Sequence, residues 1–156
     1  MAISRHAIDA GYTVIGVGRS DSLDFKSLPE DQREFTEFAL YNLENISDLV
    51  NRIVDVADGV PYALINNAAT GLDGLLATQH NTDIRKVITL NLEAPILLTQ
   101  YITRRLITYR RGRVVNISSI ISQTGFSGIY VYCATTAAIE EFTRSLSREL
   151  GKVGIT

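Results

Sequence analysis

The sequence predicts an α/β protein with a parallel β-sheet, because short apolar runs alternate with longer segments of helical periodicity. Four runs have the length of buried strands, around residues 13–18, 37–43, 62–67 and 113–118. Between them, apolar residues recur at steps of three and four, as in the stripe that begins at Ile46. Strands that are separated by helices are typical of parallel sheets.

Composition sets the broad class. The chain has 156 residues, 46% of them hydrophobic, with 15 basic and 17 acidic residues and a net charge of −2. These values predict one domain over residues 1–156 with its own core. The balanced charge favours neither nucleic acid nor a membrane surface as a partner.

Cys133 is the sole cysteine, which excludes a disulfide framework and a cysteine-rich metal site, so we predict no metal. We expect a cytoplasmic protein, since neither a secretory leader nor an apolar run of 18 residues is found.

The first half of the chain predicts a helix, a strand, a polar linker, a second strand and a second helix. The first helix ends at Gly11, and residues 21–36 are expected to form a loop and a short helix. The second strand is placed at residues 37–43 because Phe38, Leu40 and Tyr41 are apolar. Asn45 is expected to cap the helix that follows.

The second half predicts a strand over residues 62–66, a helix capped by Asn81 or Thr82, and its continuation over 95–109. A further strand leads into a loop over 120–130 and a last helix, for which Gly151 is the expected stop. Residues 152–156 predict the start of another strand.

Polar residues stand where the last two strands end. Ser119 follows the strand around 113–118, and Tyr132 opens the next helix thirteen residues later. In an open α/β sheet, ligands bind at the carboxyl ends of the strands. With the turn Asn66-Asn67-Ala68-Ala69, this segment resembles the active site of the short-chain dehydrogenase/reductase family, and most closely its 3-oxoacyl-carrier-protein reductase-like members.

The resemblance implies a Rossmann-like, doubly wound parallel sheet flanked by helices, and an NAD(P)(H)-dependent oxidoreductase that interconverts a small carbonyl and an alcohol. In that family Tyr132 would act as the proton donor, Ser119 would anchor the carbonyl, and Asn91 would hold a water on the proton relay. Asn66 would fix the central strands. Cofactor contacts would fall on Arg19, Asn42, Leu43, Asn67, Ala68, Ala69 and Tyr132. An Arg at position 19 favours a 2′-phosphate and therefore NADP(H) over NAD(H), the alternative being a solvated Arg at a strand end.

The chain departs from the family pattern at position 136, where Thr136 stands in place of a Lys four residues after the Tyr. The charge of that Lys lowers the pKa of the phenol, whose reference value is about 10. Thr136 could offer a hydroxyl to a ribose but no charge. We therefore expect weak or absent catalysis by Tyr132, since loss of one acid/base element typically costs on the order of 10²–10⁴ in rate.

The family pattern also extends beyond both ends of this sequence. The first strand with its glycine-rich phosphate loop is not found, and neither are the last strands, so the resemblance predicts an incomplete domain: a fragment, or a chain whose start has been lost. Two alternatives to an enzyme follow. One is a non-catalytic relative that binds a family subunit through the helices near 91–110 and 132–150, which would also form a homo-oligomer. The other is a fragment without independent function.

Overall fold

The computed structural model describes residues 2–156, which divide into two compact units. The first unit ends at Gly59 and the second comprises Val60–Thr156. Helices and parallel strands alternate in both, which confirms the predicted α/β class. Within residues 2–156, no helix is both long enough and apolar enough to cross a membrane.

The first unit is built on a pair of parallel strands. Its elements are α1 (Ala2–Asp9), β1 (Val14–Gly18), α2 (Leu23–Lys26), a 3₁₀ turn (Glu30–Gln32), β2 (Arg33–Glu37), a second 3₁₀ turn (Leu43–Asn45) and α3 (Ile46–Val56). Val14 lies opposite Arg33 and Gly18 opposite Glu37. Ile8, Phe25 and Leu28 form a buried cluster against these strands.

The second strand lies earlier than the sequence predicts. The prediction of residues 37–43 is wrong, since β2 is Arg33–Glu37. The cause is packing: the ring of Phe35 lies 5.9 Å from that of Phe25, centroid to centroid, and Thr36 is buried. An edge strand needs only one buried face, so a polar segment can form it. The segment after β2 is more apolar, but it does not form the strand, and its Tyr41 is exposed.

Helix α3 confirms the predicted apolar stripe. Ile46, Leu49, Val50 and Ile53 are buried along one face. Asn45 occupies the position before the helix, but its side chain makes no capping hydrogen bond, so the predicted side-chain cap is absent.

The second unit holds the other strand pair and the longest helices. Its elements are β3 (Ala63–Asn66), a 3₁₀ turn (Leu76–Thr78), α4 (Asn81–Ile88), a π-helical turn (Thr89–Glu93), α5 (Ala94–Tyr109), β4 (Arg113–Asn116), α6 (Ile121–Thr124), α7 (Tyr130–Leu150) and a 3₁₀ turn (Gly151–Val153). Ala63 lies opposite Arg113 in the parallel β3–β4 pair. After α7, Ile155 bridges Gly112 in parallel, which agrees with the predicted start of another strand.

Two predicted boundaries in this unit need correction, and a third is confirmed. The residue before α4 is His80, so Asn81 is the first helical residue. The loop predicted for residues 120–130 contains α6. The predicted stop is confirmed, since α7 ends at Leu150 and Gly151 caps it with a right-handed φ of −56°; the chain then continues into the 3₁₀ turn. The left-handed residue of this turn is Gly154, with φ +82°, and an added Cβ there would also approach the carbonyl oxygen of Arg110 to 2.5 Å.

The two faces of the β3–β4 pair differ. Asn66 and Asn116 point to the side where they bond Thr99 of α5 and Thr143 of α7. On the other side, Ile65, Val115 and Ile117 remain 39%, 42% and 45% exposed. The helices therefore cover one face of this sheet, and the polar ends of the strands lie beside them.

Candidate active site

A small cavity lies at the carboxyl ends of β3 and β4. Its volume of about 20 Å³ exceeds the roughly 10–15 Å³ that one water molecule requires. The residues that line it are Asn66, Ala68, Ala69, Asn91, Pro95, Ile117, Tyr132, Thr136 and Ile139. Four predicted site residues, Ala68, Ala69, Asn91 and Tyr132, therefore share one cavity.

The two strands are held together at this edge by a chain of hydrogen bonds. Asn66 Nδ2 donates to Asn116 Oδ1 at 2.7 Å and lies 3.1 Å from Thr99 Oγ1. Asn116 Nδ2 donates to Thr143 Oγ1 at 2.8 Å, and that hydroxyl donates to the carbonyl oxygen of Ile139. The strand ends are thus fixed to α5 and α7. This geometry agrees with the role that the resemblance implies for Asn66.

Asn91 reaches the cavity because the helix is locally widened. It lies in the π-helical turn Thr89–Glu93, a distortion that is frequent at functional sites. Its Oδ1 accepts from the amide of Thr70 at 2.9 Å, and its Nδ2 donates to the carbonyl oxygen of Thr70 at 2.8 Å. Nδ2 also lies 3.3 Å from Thr135 Oγ1. The buried amide therefore joins the turn after β3 to α7, and its polar atoms are all engaged.

Thr136 lies one helical turn after Tyr132, and its hydroxyl is already engaged. The residue is 7% exposed. Its Oγ1 lies 3.0 Å from the carbonyl oxygen of Tyr132 and 2.9 Å from that of Cys133. A hydroxyl has one hydrogen to donate, and here it goes to the helix backbone, as threonines in helices often do. Position 136 thus brings Tyr132 neither a positive charge nor a free hydroxyl hydrogen.

Ser119 lies in the turn between β4 and α6 and is half-buried. It is not one of the nine residues that line the cavity. The amide of Ser122 donates to its carbonyl oxygen at 3.1 Å, so the turn around it is closed.

Glu140, which the sequence patterns did not indicate, contacts both sides of this turn. Its Oε1 accepts hydrogen bonds from Ser118 Oγ at 2.8 Å and from Ser122 Oγ. These bonds, with that of Ser122 first, lower the pKa of the Glu140 carboxyl, and the nearby Arg144 adds to the effect. A signal for Glu140 does exist in the sequence: it follows Tyr132 by eight residues and Thr136 by four, which places all three on one helical face.

The other predicted cofactor residues lie outside the cavity. Asn67 is exposed in the turn after β3. Arg19 is exposed just after β1, Asn42 is exposed before the second 3₁₀ turn, and Leu43 begins that turn half-buried. The last three belong to the first unit, and their part in cofactor binding stays a prediction.

The second unit is thus an α/β unit with a polar edge where its parallel strands end, a serine after β4 and a tyrosine near the start of α7. The chain belongs to the short chain dehydrogenase family, whose model matches residues 1–156. The 3-oxoacyl-[acyl-carrier-protein] reductase FabG of Aquifex aeolicus (strain VF5) is 34% identical over 155 residues, which cover 96% of this chain and 62% of that protein.

Solved structures agree. A short-chain dehydrogenase from Streptomyces avermitilis superposes with a TM-score of 0.91 at 29% identity, over 99% of this chain and 57% of that one. ElxO with NADP bound gives a TM-score of 0.88 at 25% identity, over 99% and 64%. The predicted family and the Rossmann-like fold are confirmed. This chain spans about 57–64% of the lengths of these three proteins.

The family implies an NAD(P) cofactor, and the residues around the cavity match a nicotinamide site in having a small-residue turn and a tyrosine but not in charge. Ala68 and Ala69 are small and exposed, which leaves their backbone open to a ribose. Tyr132 faces the same cavity. None of the nine lining side chains is cationic, and the hydroxyl of Thr136 donates its hydrogen to the helix backbone.

Proposed function

We propose that this chain carries the carbonyl–alcohol site of a short chain dehydrogenase, with low turnover, a small 3-oxoacyl-type substrate and a preference for NADP(H). The observation that carries the proposal is the cavity at the strand ends, where Tyr132 meets Asn91 and the small-residue turn. Ser119 precedes this tyrosine by thirteen residues, and the reductase relative supports the substrate class.

Each residue has a separate role in the proposed reduction. The hydroxyl of Ser119 donates a hydrogen bond to the substrate carbonyl oxygen, and the phenol of Tyr132 delivers a proton to that same oxygen. When bound, a reduced nicotinamide would supply the hydride for the carbonyl carbon. Asn91 keeps the turn after β3 against α7. The carbonyl group becomes a secondary alcohol, and Tyr132 is left as a phenolate.

Turnover is expected to be low because no cation lies beside that phenolate. Position 136 would have to stabilise the charge as the proton leaves, and its threonine is neutral. Alcohol oxidation, the reverse reaction, is expected to be slow for the same reason.

The preference for NADP(H) depends on Arg19. Its guanidinium is exposed after β1, and a planar guanidinium recognises a phosphate through two parallel hydrogen bonds. The NADP-bound relative supports this choice.

Cofactor binding is tested by titrating the purified chain into NADPH and following the fluorescence of the nicotinamide. The chain has no Trp, so the protein background is low. We expect saturable binding that is weaker for NADH, and loss of that difference in Arg19→Ala. The matched control is Arg85→Ala, which removes an exposed Arg from α4. Absence of saturable binding at millimolar NADPH would contradict the proposal.

Catalysis is tested under single-turnover conditions with a 3-oxoacyl thioester and NADPH. Tyr132→Phe should keep NADPH binding and lose turnover by a factor on the order of 10²–10⁴. Tyr130→Phe is the control, since Tyr130 is an exposed tyrosine two residues earlier on the same helix. Equal losses in the two variants would argue against Tyr132 as the proton donor.

We further propose that copies of the chain associate through α5 and α7. The C-terminal end of α5 leaves Ile107 44% and Tyr109 64% exposed, and exposed apolar side chains favour association. Light scattering should give a mass above that of one chain, and Ile107→Lys should lower it. A monomer at all concentrations would refute this assembly.

A further inference from the structure

The turn that carries Ser119 is held on both sides by one side chain of α7. Oε1 of Glu140 accepts the hydroxyl of Ser118 at 2.8 Å and also that of Ser122. Ser118 directly precedes Ser119, while the amide of Ser122 closes the turn on the carbonyl oxygen of Ser119 at 3.1 Å. Ser119 thus lies between two serines that share one carboxylate.

The hydroxyl of Ser118 has two possible acceptors but can donate to one of them. Ser118 Oγ also lies 3.3 Å from the carbonyl oxygen of Thr136, but it has one hydrogen to give. The contact with the carboxylate is shorter and charge-assisted, so it is preferred. In the part of the chain that the structure describes, residues 2–156, the hydroxyl of Ser119 has no hydrogen-bond partner and is available to a substrate oxygen.

The carboxylate is well placed to stay ionised. The side chain of Glu140 is 23% exposed, and its Oε2 lies 3.9 Å from Nη1 of Arg144. The two serine hydroxyls and this guanidinium all favour the charged form. An ionised carboxylate is an acceptor only, so it can take both serine hydroxyls at once.

We propose that Glu140 is a positioning residue, which holds the hydroxyls of Ser118 and Ser122 and thereby fixes Ser119 relative to Tyr132. Both Glu140 and Tyr132 belong to α7, which is a single helix from Tyr130 to Leu150. The helix therefore carries the proton donor directly and sets the carbonyl anchor through the two serines. This inference rests on the proposed roles of Ser119 and Tyr132 and deepens them.

Hydrogen exchange tests the contact itself. In Glu140→Ala, we expect exchange in residues 117–124 to quicken on the order of tenfold, because a charge-assisted contact of the turn is lost. Exchange in α3 and α5 should not change. The matched control is Glu141→Ala, since the carboxylate of Glu141 bonds Arg144 and Ser145 of its own helix and, within residues 2–156, makes no hydrogen bond with the turn. Equal acceleration in all segments, or none in the turn, would overturn the proposal.

The two serines provide a second, conservative test. Ser122→Ala should reproduce the local acceleration, and Ser122→Thr, which keeps the hydroxyl, should restore slow exchange. Glu140→Gln keeps the size of the side chain and one acceptor oxygen. We expect this variant to fold, so it replaces Glu140→Ala in the comparison if Glu140→Ala unfolds. A Ser122→Thr variant as fast as Ser122→Ala would show that the hydroxyl is not what holds the turn.

Kinetics separate positioning from general stability. In a Thr136→Lys background, Glu140→Ala should lower kcat for carbonyl reduction on the order of tenfold, with KM for NADPH unchanged. An unchanged kcat, or a KM for NADPH that rises in step, would overturn the positioning role. If the Thr136→Lys chain neither binds NADPH nor turns over, the proposed function is contradicted, whereas hydrogen exchange still decides whether Glu140 holds the turn.

Discussion

A single side chain, Thr136, limits what this site can do. A threonine in a helix commonly returns its hydroxyl to the carbonyl three or four residues earlier, and Thr136 does so to Cys133 and Tyr132. Tyr132, the proposed proton donor, therefore has a neutral neighbour at position 136 whose hydroxyl hydrogen is already used by the helix backbone.

Restoring that charge should raise activity. We expect Thr136→Lys to increase single-turnover carbonyl reduction by a factor on the order of 10²–10⁴, because a cation one turn from Tyr132 lowers the pKa of its phenol. The control is Ala134→Lys, which adds the same charge at an exposed position of α7. A gain in both variants, or in neither, would mean that the charge does not act through Tyr132.

The pH dependence of the Ser119 turn follows from Glu140. Its pKa is lowered in the folded chain by Ser122 and Ser118, from a usual value of 4.5. Since the folded-state value lies below the unfolded one, the stabilisation is complete above about pH 4.5 and is lost as the pH falls through the lowered pKa. Carboxyl carbon shifts in an NMR titration should show Glu140 changing below its usual range. Acid-induced exchange in residues 117–124 should vanish from the pH profile of Glu140→Gln, and its persistence there would assign the effect to another group.

At the scale of elements, the sequence predicts what apolar periodicity controls and misses what tertiary contacts control. The stripe of α3 is confirmed because each of its residues points to one buried face. The strand β2 was misplaced because its position depends on Phe35 meeting Phe25, a contact between distant residues. The spacing of Ser119 and Tyr132 predicts their roles, which stay a prediction, whereas the bonds of Glu140 could not be predicted because its partners lie on a turn some twenty residues away in sequence.

The segment after α7 returns to the sheet through one glycine. Gly154 has φ +82°, and an added Cβ would lie 2.5 Å from the carbonyl oxygen of Arg110. Both the strain and the contact with backbone oppose a side chain, so Gly154→Ala should lower the free energy of unfolding of this unit by about 1–3 kcal/mol. Urea unfolding measures the change.

The same turn supplies the control. Gly151 has a right-handed φ of −56° and open space around its Cα, so Gly151→Ala should change stability by no more than about 0.5 kcal/mol. A Gly154→Ala variant as stable as the parent would show that the turn can relax without cost.

At the scale of the whole chain, the core is divided between two units. Among residues 2–156, each unit has a sheet of two strands, and two-stranded sheets depend on the helices packed against them. Leu49 of α3 in the first unit is 0% exposed, and Leu106 of α5 in the second is 1% exposed. Ile65, Val115 and Ile117 at the uncovered face of the second sheet add little stabilisation.

We therefore expect the chain to unfold in two broad transitions and not in one sharp one. Leu49→Ala and Leu106→Ala each remove a buried side chain at a cost of about 2–5 kcal/mol, so each should move a single transition. Heating followed by hydrogen exchange and mass spectrometry assigns the transitions, since peptides from residues 46–56 report on the first unit and those from 94–109 on the second. One transition that both variants lower equally would show that the two cores unfold as one cooperative structure, because mutations in separate units would then share a single free energy of unfolding.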